Sequence, residues 1–404
     1  MMSMNRRTGL RPYARPVCTL ILLSSIAALL TGCGSFFQCE GKADCPTTGT
    51  GTGTGTGTTT TTDYVYVANS ASGATYLNGY TLASGTLTAA TGAPFSLGTN
   101  AVPQALAVTS ANTFLYMATD SNFTNPAGTG DIYGYSITTG GALSILASGS
   151  PLIQENDAAI AISPDGQWLF TLPIDAQQIN EYPINASTGV LNALAAYYGL
   201  AGAATGGINP LGIAVAPSGE YFAAALGTGG ADVYSFDTTT GQGATVPVTI
   251  NPANSATGIY AVAFDSNNNL YCAGTAGLQV FSISASGAIT LLKTYAAGNG
   301  AHSIVINKAS TYVYVGNQTD STITGYSIGT NAALTALVGS PYSAPTAVGA
   351  LAIDNTSAYL VAAGYNTTSG IQLFSIGSAG ALTMTGSAGT GATTGIPLAI
   401  AATH

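Results

Sequence analysis

The hexapeptide YVYVAN at Tyr64–Asn69 returns almost unchanged as YVYVGN at Tyr312–Asn317. Related segments follow the same frame: FLYMAT from Phe114, WLFTLP from Trp168, YFAAAL from Tyr221, LYCAGT from Leu270 and YLVAAG from Tyr359. The seven anchors are spaced by 50, 54, 53, 49, 42 and 47 residues. Self-similarity at such a period means that the chain is an array of units, none of which can bury its apolar surface alone.

The content of one unit decides between helical pairs and sheets. From His302 the chain reads HSIVIN, then TYVYVGN, STITGYSI and LTALVGS, four short runs rich in Val, Ile, Tyr and Thr with Lys-Ala-Ser, Asn and Gly between them. Such runs are strands. In the second run Tyr312 and Tyr314 fall on one face and Val313 and Val315 on the other, so both faces are apolar and the sheet is expected to sit between two neighbours. The predicted fold is all-β: a seven-bladed β-propeller with four-stranded antiparallel blades. Each unit begins with a turn, among them SPDGQW, APSGEY, DSNNNL, NKASTY and DNTSAY, built from the residues tight turns require. Asp265, Asn267 and Asn269 have the spacing of a calcium-loop start but occupy one of these turn slots and lack the distal Glu, so they are read as turn. The first unit opens on its second strand, whereas the C-terminal IPLAIAATH repeats the pattern of NPLGIAVAP and VPQALAVTS. The tail is therefore expected to pair into blade one and close the ring.

The N-terminal residues are set apart as an export signal, 1–32. Arg6, Arg7, Arg11 and Arg15 precede the apolar stretch VCTLILLSSIAALL, and the LTGC ending at Cys33 resembles a bacterial lipobox, which implies cleavage before Cys33 and its lipidation. By the same resemblance Gly34, in place of an Asp, directs the lipoprotein to the outer membrane, facing periplasm or cell surface. Residues 33–62 end in TTGTGTGTGTGTTTTT, which has almost nothing to bury. This reads as a tether with a span on the order of 20 Å, and the propeller is assigned to 63–404. Cys39 and Cys45 bracket EGKAD, a spacing compatible with a local disulfide in an oxidising compartment. Cys272 lies in an apolar strand and is read as a buried thiol. Every Arg leaves with the signal, so the mature chain has three Lys against sixteen Asp and Glu, a formal −13. Nucleic acid is excluded as a partner, since phosphate neutralisation needs clustered cations.

The segments SPDGQWLF and YVYVAN, with the recurrent GTLTAATGAPF, GALSILASGSP, AALTALVGSPY and GALTMTGSAG, are similar to the lactonase-type seven-bladed propellers, which include 6-phosphogluconolactonase-like enzymes and YVTN-repeat surface proteins. The resemblance runs from about Asp63 to the C-terminus. It implies a site at the mouth of the central channel with a His and basic residues, usually Arg. Counting back ten positions from each anchor places Gln104, Ala158, Leu211, Tyr260, His302 and Gly349 at the starts of the inner strands, with Leu398 in the closing one. His302 matches the family's habit of a His just before an inner strand and is the catalytic candidate. Gln104, Glu155, Asp157, Tyr260 and His302 are the ligand-binding candidates, Glu155 and Asp157 being placed near the same rim. No cofactor or metal is implied. With no Arg left to hold a developing oxyanion, the favoured reading is a membrane-anchored binding or scaffold module. Its partners are the membrane, through the N-terminal lipid, and a glycan, peptide or small neutral ligand at the mouth. The alternative is hydrolysis of an uncharged lactone.

Overall fold

A computed structural model describes residues 62–71, 74–96, 102–120, 130–202, 207–251, 257–364, 370–389 and 399–404. The signal segment, Cys33, the Cys39–Cys45 pair and Leu398 lie outside the described residues. Residues Thr60–His404 form one compact unit.

Seven antiparallel sheets make up this unit, each of four strands in sequential order with some outer edges extended by a two- or three-residue strand. Blade six shows the plan: Ala301–Ile306 innermost, then Tyr312–Asn317, Thr322–Ile328 and Leu334–Ala336. Blade one is the exception that closes the ring. Its innermost strand is the C-terminal Ala399–Ala402, which pairs with Asp63–Ala71 in the register Val65↔Ala402 to Ala68↔Ala399. Two further bonds fasten the junction, from Thr403 N–H to the Tyr64 carbonyl at 2.9 Å and from Tyr64 N–H to Thr403 Oγ1 at 2.9 Å.

The core lies between blades. Val313 and Val315 pack against blade five with Tyr271 and Val280, whereas Tyr314 packs against blade seven with Leu351 and Phe374. Blade one repeats the division, Val65 and Val67 facing blade seven and Tyr66 facing blade two. Each of the seven blade-to-blade junctions has its own buried apolar cluster. Alternation in the second strand thus assigns successive residues to two different cores, which is why these strands are apolar on both faces. Cys272 is one such residue, a free thiol buried in the cluster between blades four and five.

Two devices repeat around the ring. At the end of an inner strand a polar side chain accepts the N–H of the anchor residue five positions on: Thr109 from Phe114, Ser163 from Trp168, Asn307 from Tyr312 and Asp354 from Tyr359. In blade five the turn is one residue shorter. Asp265 N–H bonds the Asn269 carbonyl where Asn307 bonds Tyr312, so Leu270 corresponds to Val313 and its assignment as an anchor is corrected by one position. The Asp265 carboxylate is taken up by Asn267 N–H, Asn269 N–H, Asn269 Nδ2 and the Tyr271 hydroxyl, the work of a turn cap.

The second device joins neighbouring blades. The anchor ring of one blade lies over a glycine in the outer turn of the next, as Tyr312 over Gly380. A Cβ there would stand 2.5 Å from the ring, and Gly380 has φ +81°. Two residues on, Tyr314 hydroxyl donates to the Gly380 carbonyl at 2.7 Å, just as Tyr66 donates to Gly141 and Tyr116 to Gly189. The anchor aromatic and the distant glycine are thus two halves of one contact.

Candidate functional site

A β-bulge sits at the start of an inner strand and leaves one residue outside the ladder. In blade two the register steps from Pro103 to Ala105, in blade three from Asp157 to Ala159, and in blade five from Ile259 to Ala261. It steps from Ala301 to Ser303 in blade six and from Val348 to Ala350 in blade seven. The residues passed over are Gln104, Ala158, Tyr260, His302 and Gly349. Blade four has no such step in its pairing, but Leu211 directly precedes Gly212–Val215 and bonds Ala225 through its N–H. A bulge bends its strand and re-aims one side chain. All six residues line one central cavity of about 500 Å³. The ten-residue count back from the anchors therefore lands on the bulge positions of blades two, three, six and seven. In blade five it reaches Tyr260 because the anchor set one residue late offsets the shorter turn, and in blade four it reaches Leu211, where the pairing has no bulge.

Three of the five ligand-binding candidates meet here: Gln104, Tyr260 and His302. Tyr260 and His302, from adjacent blades, stack with ring centroids 4.9 Å apart and planes 5° from parallel. Partial desolvation at the cavity lowers the His302 imidazole from its ordinary value although the residue keeps solvent exposure, which favours the neutral form that donates from one ring nitrogen and accepts at the other. The stack covers one face of Tyr260, so that face is not open to a ligand.

Glu155 and Asp157 are not among the channel-lining residues. The bulge residue of blade three is Ala158, one position past Asp157, and it takes the channel position instead. Asp157 is wholly buried. Glu155 accepts from Thr171 Oγ1 at 3.1 Å, from Tyr182 hydroxyl at 3.3 Å and from Asn180 Nδ2. Glu155 thus belongs to a polar network inside the blade, whereas neither carboxyl oxygen of Asp157 has a hydrogen-bond partner among the described residues. Burial, and then the charge of Glu155, holds the Asp157 carboxyl well above the usual carboxylate range.

The cations lie elsewhere. Lys293 is in the outer strand of blade five, over the Tyr295 ring at 4.9 Å. Lys308 is in the turn at the far end of the inner strand that His302 begins, bonded to Asn355. At a rise of about 3.3 Å per residue that is roughly 20 Å from the mouth. Among the described residues the one charged side chain lining the channel is Asp120. Sequence reasoning missed Asp120 and Asn209, which also line it. Asn209 precedes its inner strand by three residues, in the segment NPLGIAVAP whose pattern returns in the C-terminal tail.

Residues 266–395 match the model of the family described as Lactonase, 7-bladed beta-propeller. None of the curated proteins compared with the chain is similar to it. Among solved structures, the periplasmic gluconolactonase of Pseudomonas aeruginosa is 14% identical with a TM-score of 0.65, covering 84% of this chain and 99% of that one. A protein of Lactobacillus plantarum is 19% identical with a TM-score of 0.64, over 85% and 99% of the two chains. At these identities the likeness is one of fold.

Proposed function

We propose that the chain is an exported lipoprotein, anchored to the outer membrane through Cys33, whose propeller binds an uncharged polar ligand at the channel mouth. The observation that carries this reading is the chemistry of the mouth: a neutral imidazole stacked on a phenol, an amide at Gln104, and no cation within reach. An anionic ligand would find no counter-charge there, and the mature chain left after signal removal, at a formal −13, repels it from a distance. The closed ring fixes the side chains of Gln104, Ala158, Leu211, Tyr260 and His302 relative to one another, so binding incurs little ordering cost. The tether would hold the propeller clear of the lipid surface.

The match to the lactonase family model favours a second reading, hydrolysis of an uncharged lactone. In it the free nitrogen of neutral His302 takes a proton from water as the water oxygen attacks the lactone carbonyl. The carbonyl carbon to ring-oxygen bond then breaks, and the proton passes to the departing alkoxide, giving the hydroxy acid. Tyr260 hydroxyl and Gln104 amide are the available donors to the oxyanion, weaker than the cations of the usual site.

One pair of variants separates the two. His302→Ala and Tyr260→Ala are both compared with wild type for thermal stability, for turnover of a panel of neutral lactones, and for binding to glycan and peptide arrays. Binding without turnover, lost in both variants at unchanged stability, is the expected result. Turnover abolished by His302→Ala replaces it with the hydrolase reading. Binding untouched by both variants removes the mouth as the site.

A further inference from the structure

The Tyr260–His302 pair is also a wall of a second cavity of about 500 Å³, beside the channel mouth where blades four, five and six meet. Asn209, Asn299, Gln318 and Thr319 line it together with the pair, and no Asp, Glu, Lys or Arg does. Its floor is backbone held too close for a side chain: a Cβ on Gly298 would stand 2.7 Å from Asn317, and one on Gly274 would collide with the Gly258 carbonyl. Asn299 is set in place by Asp320, to whose carboxylate it donates from its backbone N–H at 2.7 Å and from Nδ2 at 3.0 Å. Its Oδ1 remains as an acceptor. The carboxamides of Asn209 and Gln318 make no hydrogen bond to a described residue.

The chemistry of this crevice is specific. A carboxamide presents a donor pair and an acceptor side by side, which matches two neighbouring hydroxyls of a sugar ring. Three carboxamides and a threonine hydroxyl in a site without charge suit a hydroxyl-rich, uncharged group. Each cavity is within the range of about 300–1,000 Å³ that holds small organic ligands. Because the two share Asn209, Leu211, Tyr260 and His302 as walls, a molecule that fills both is longer than one ring.

We infer that the crevice is a second subsite and that the ligand of the mouth is a neutral oligosaccharide, with one sugar unit at the channel opening and the next in the crevice. This rests on the mouth being the ligand site, as proposed above. Asn209, Gln318 and Thr319 then set chain-length preference, and His302 serves both subsites.

The test is calorimetric titration of the full-length protein with cellohexaose, xylohexaose and maltohexaose, with glucose and xylose as single units. Gln318→Ala, Gln318→Glu and His302→Ala are measured alongside. The expected result is that at least one hexaose binds tenfold or more tighter than its monosaccharide. Gln318→Ala weakens that hexaose by roughly 3–10-fold, the loss of one or two neutral hydrogen bonds, and leaves the monosaccharide unchanged. Gln318 is partly exposed on a loop, and unaltered melting of the variant is the control. Equal affinity for hexaose and monosaccharide, or a hexaose indifferent to both Gln318 variants, overturns the subsite while leaving the mouth as a site. No saccharide binding, with a neutral lactone or peptide bound in a His302-dependent way, overturns the oligosaccharide and again spares the mouth. Saccharide binding indifferent to His302→Ala overturns both.

Discussion

Glu181 is a carboxyl with no exposure, hydrogen-bonded to the Tyr198 hydroxyl at the junction of blades three and four. Burial pushes it up from 4.5 to about 7, against the lowering effect of that bond. Asp63 is raised to about 6 by burial and then by Asp354, and Asp157 is raised as well. A carboxyl whose folded value exceeds its unfolded one releases its proton more readily when unfolded. Its contribution is fully present below the unfolded value and is lost as pH rises through the folded one. Stability is therefore expected to fall between about pH 4 and pH 8, the upper end set by Asp157, which is raised to about 8. Glu181 alone accounts for on the order of 2–3 kcal/mol of this fall. Glu181→Gln mimics the protonated acid and should remove that share of the slope while changing stability at pH 4 by less than about 1 kcal/mol. Denaturant titrations read it through Trp168, the one tryptophan, which packs on the same cluster. A slope equal to that of wild type would assign the pH dependence to other groups.

At the scale of the strand and turn, the repeat is legible because one contact recurs at five of the seven junctions among the described residues. The anchor aromatic and the outer-turn glycine are sequence-distant but always in adjacent blades, as with Tyr312 and Gly380, or Trp168 and Gly241. Gly380→Ala should destabilise by roughly 1–3 kcal/mol, combining a strained positive φ with displacement of the Tyr312 ring. Gly140→Ala is the matched control: its φ is +85° but a Cβ there meets nothing within 4 Å. It should lose only the conformational part, about 1 kcal/mol. Equal losses in the two variants would mean that the ring adjusts freely and the close approach carries no weight. The bulges are the other element-scale device. Each adds one residue just before the ladder proper, which is why the phase of the repeat, together with the position of the anchors, locates Gln104 and His302, whereas Tyr260 is reached because the one-residue shift of its anchor and the shorter turn of blade five cancel. The same phase marked Glu155 and Asp157 as near the rim by proximity in sequence, and the bulge at Ala158 hands the channel position to alanine. Asn299, Gln318 and Thr319 were invisible for a different reason: they stand in connections outside the repeat, where no periodicity reports on position.

For the molecule as a whole, closure is a single antiparallel pairing between residues more than three hundred positions apart, Val65 with Ala402 and its neighbours. Deletion of residues 399–404 removes the inner strand of blade one and uncovers the edge of Asp63–Ala71 together with the clusters it shares with blades two and seven. The shortened protein is expected to lose its single sharp unfolding transition in circular dichroism; one that melts as wild type does would refute closure as the source of cooperativity. The amino-acid sequence by itself determined the number of blades, their four-strand content and the way the ring shuts. These follow from short-range periodicity, turn chemistry and the mismatch between the two ends of the repeat. Only the tertiary structure decided which bulge side chains face a common space, that Tyr260 and His302 stack, and that the acids of blade three turn inward. Those outcomes depend on how separate blades are juxtaposed around an axis, and a local pattern holds no record of a neighbour fifty residues away until packing brings it into contact.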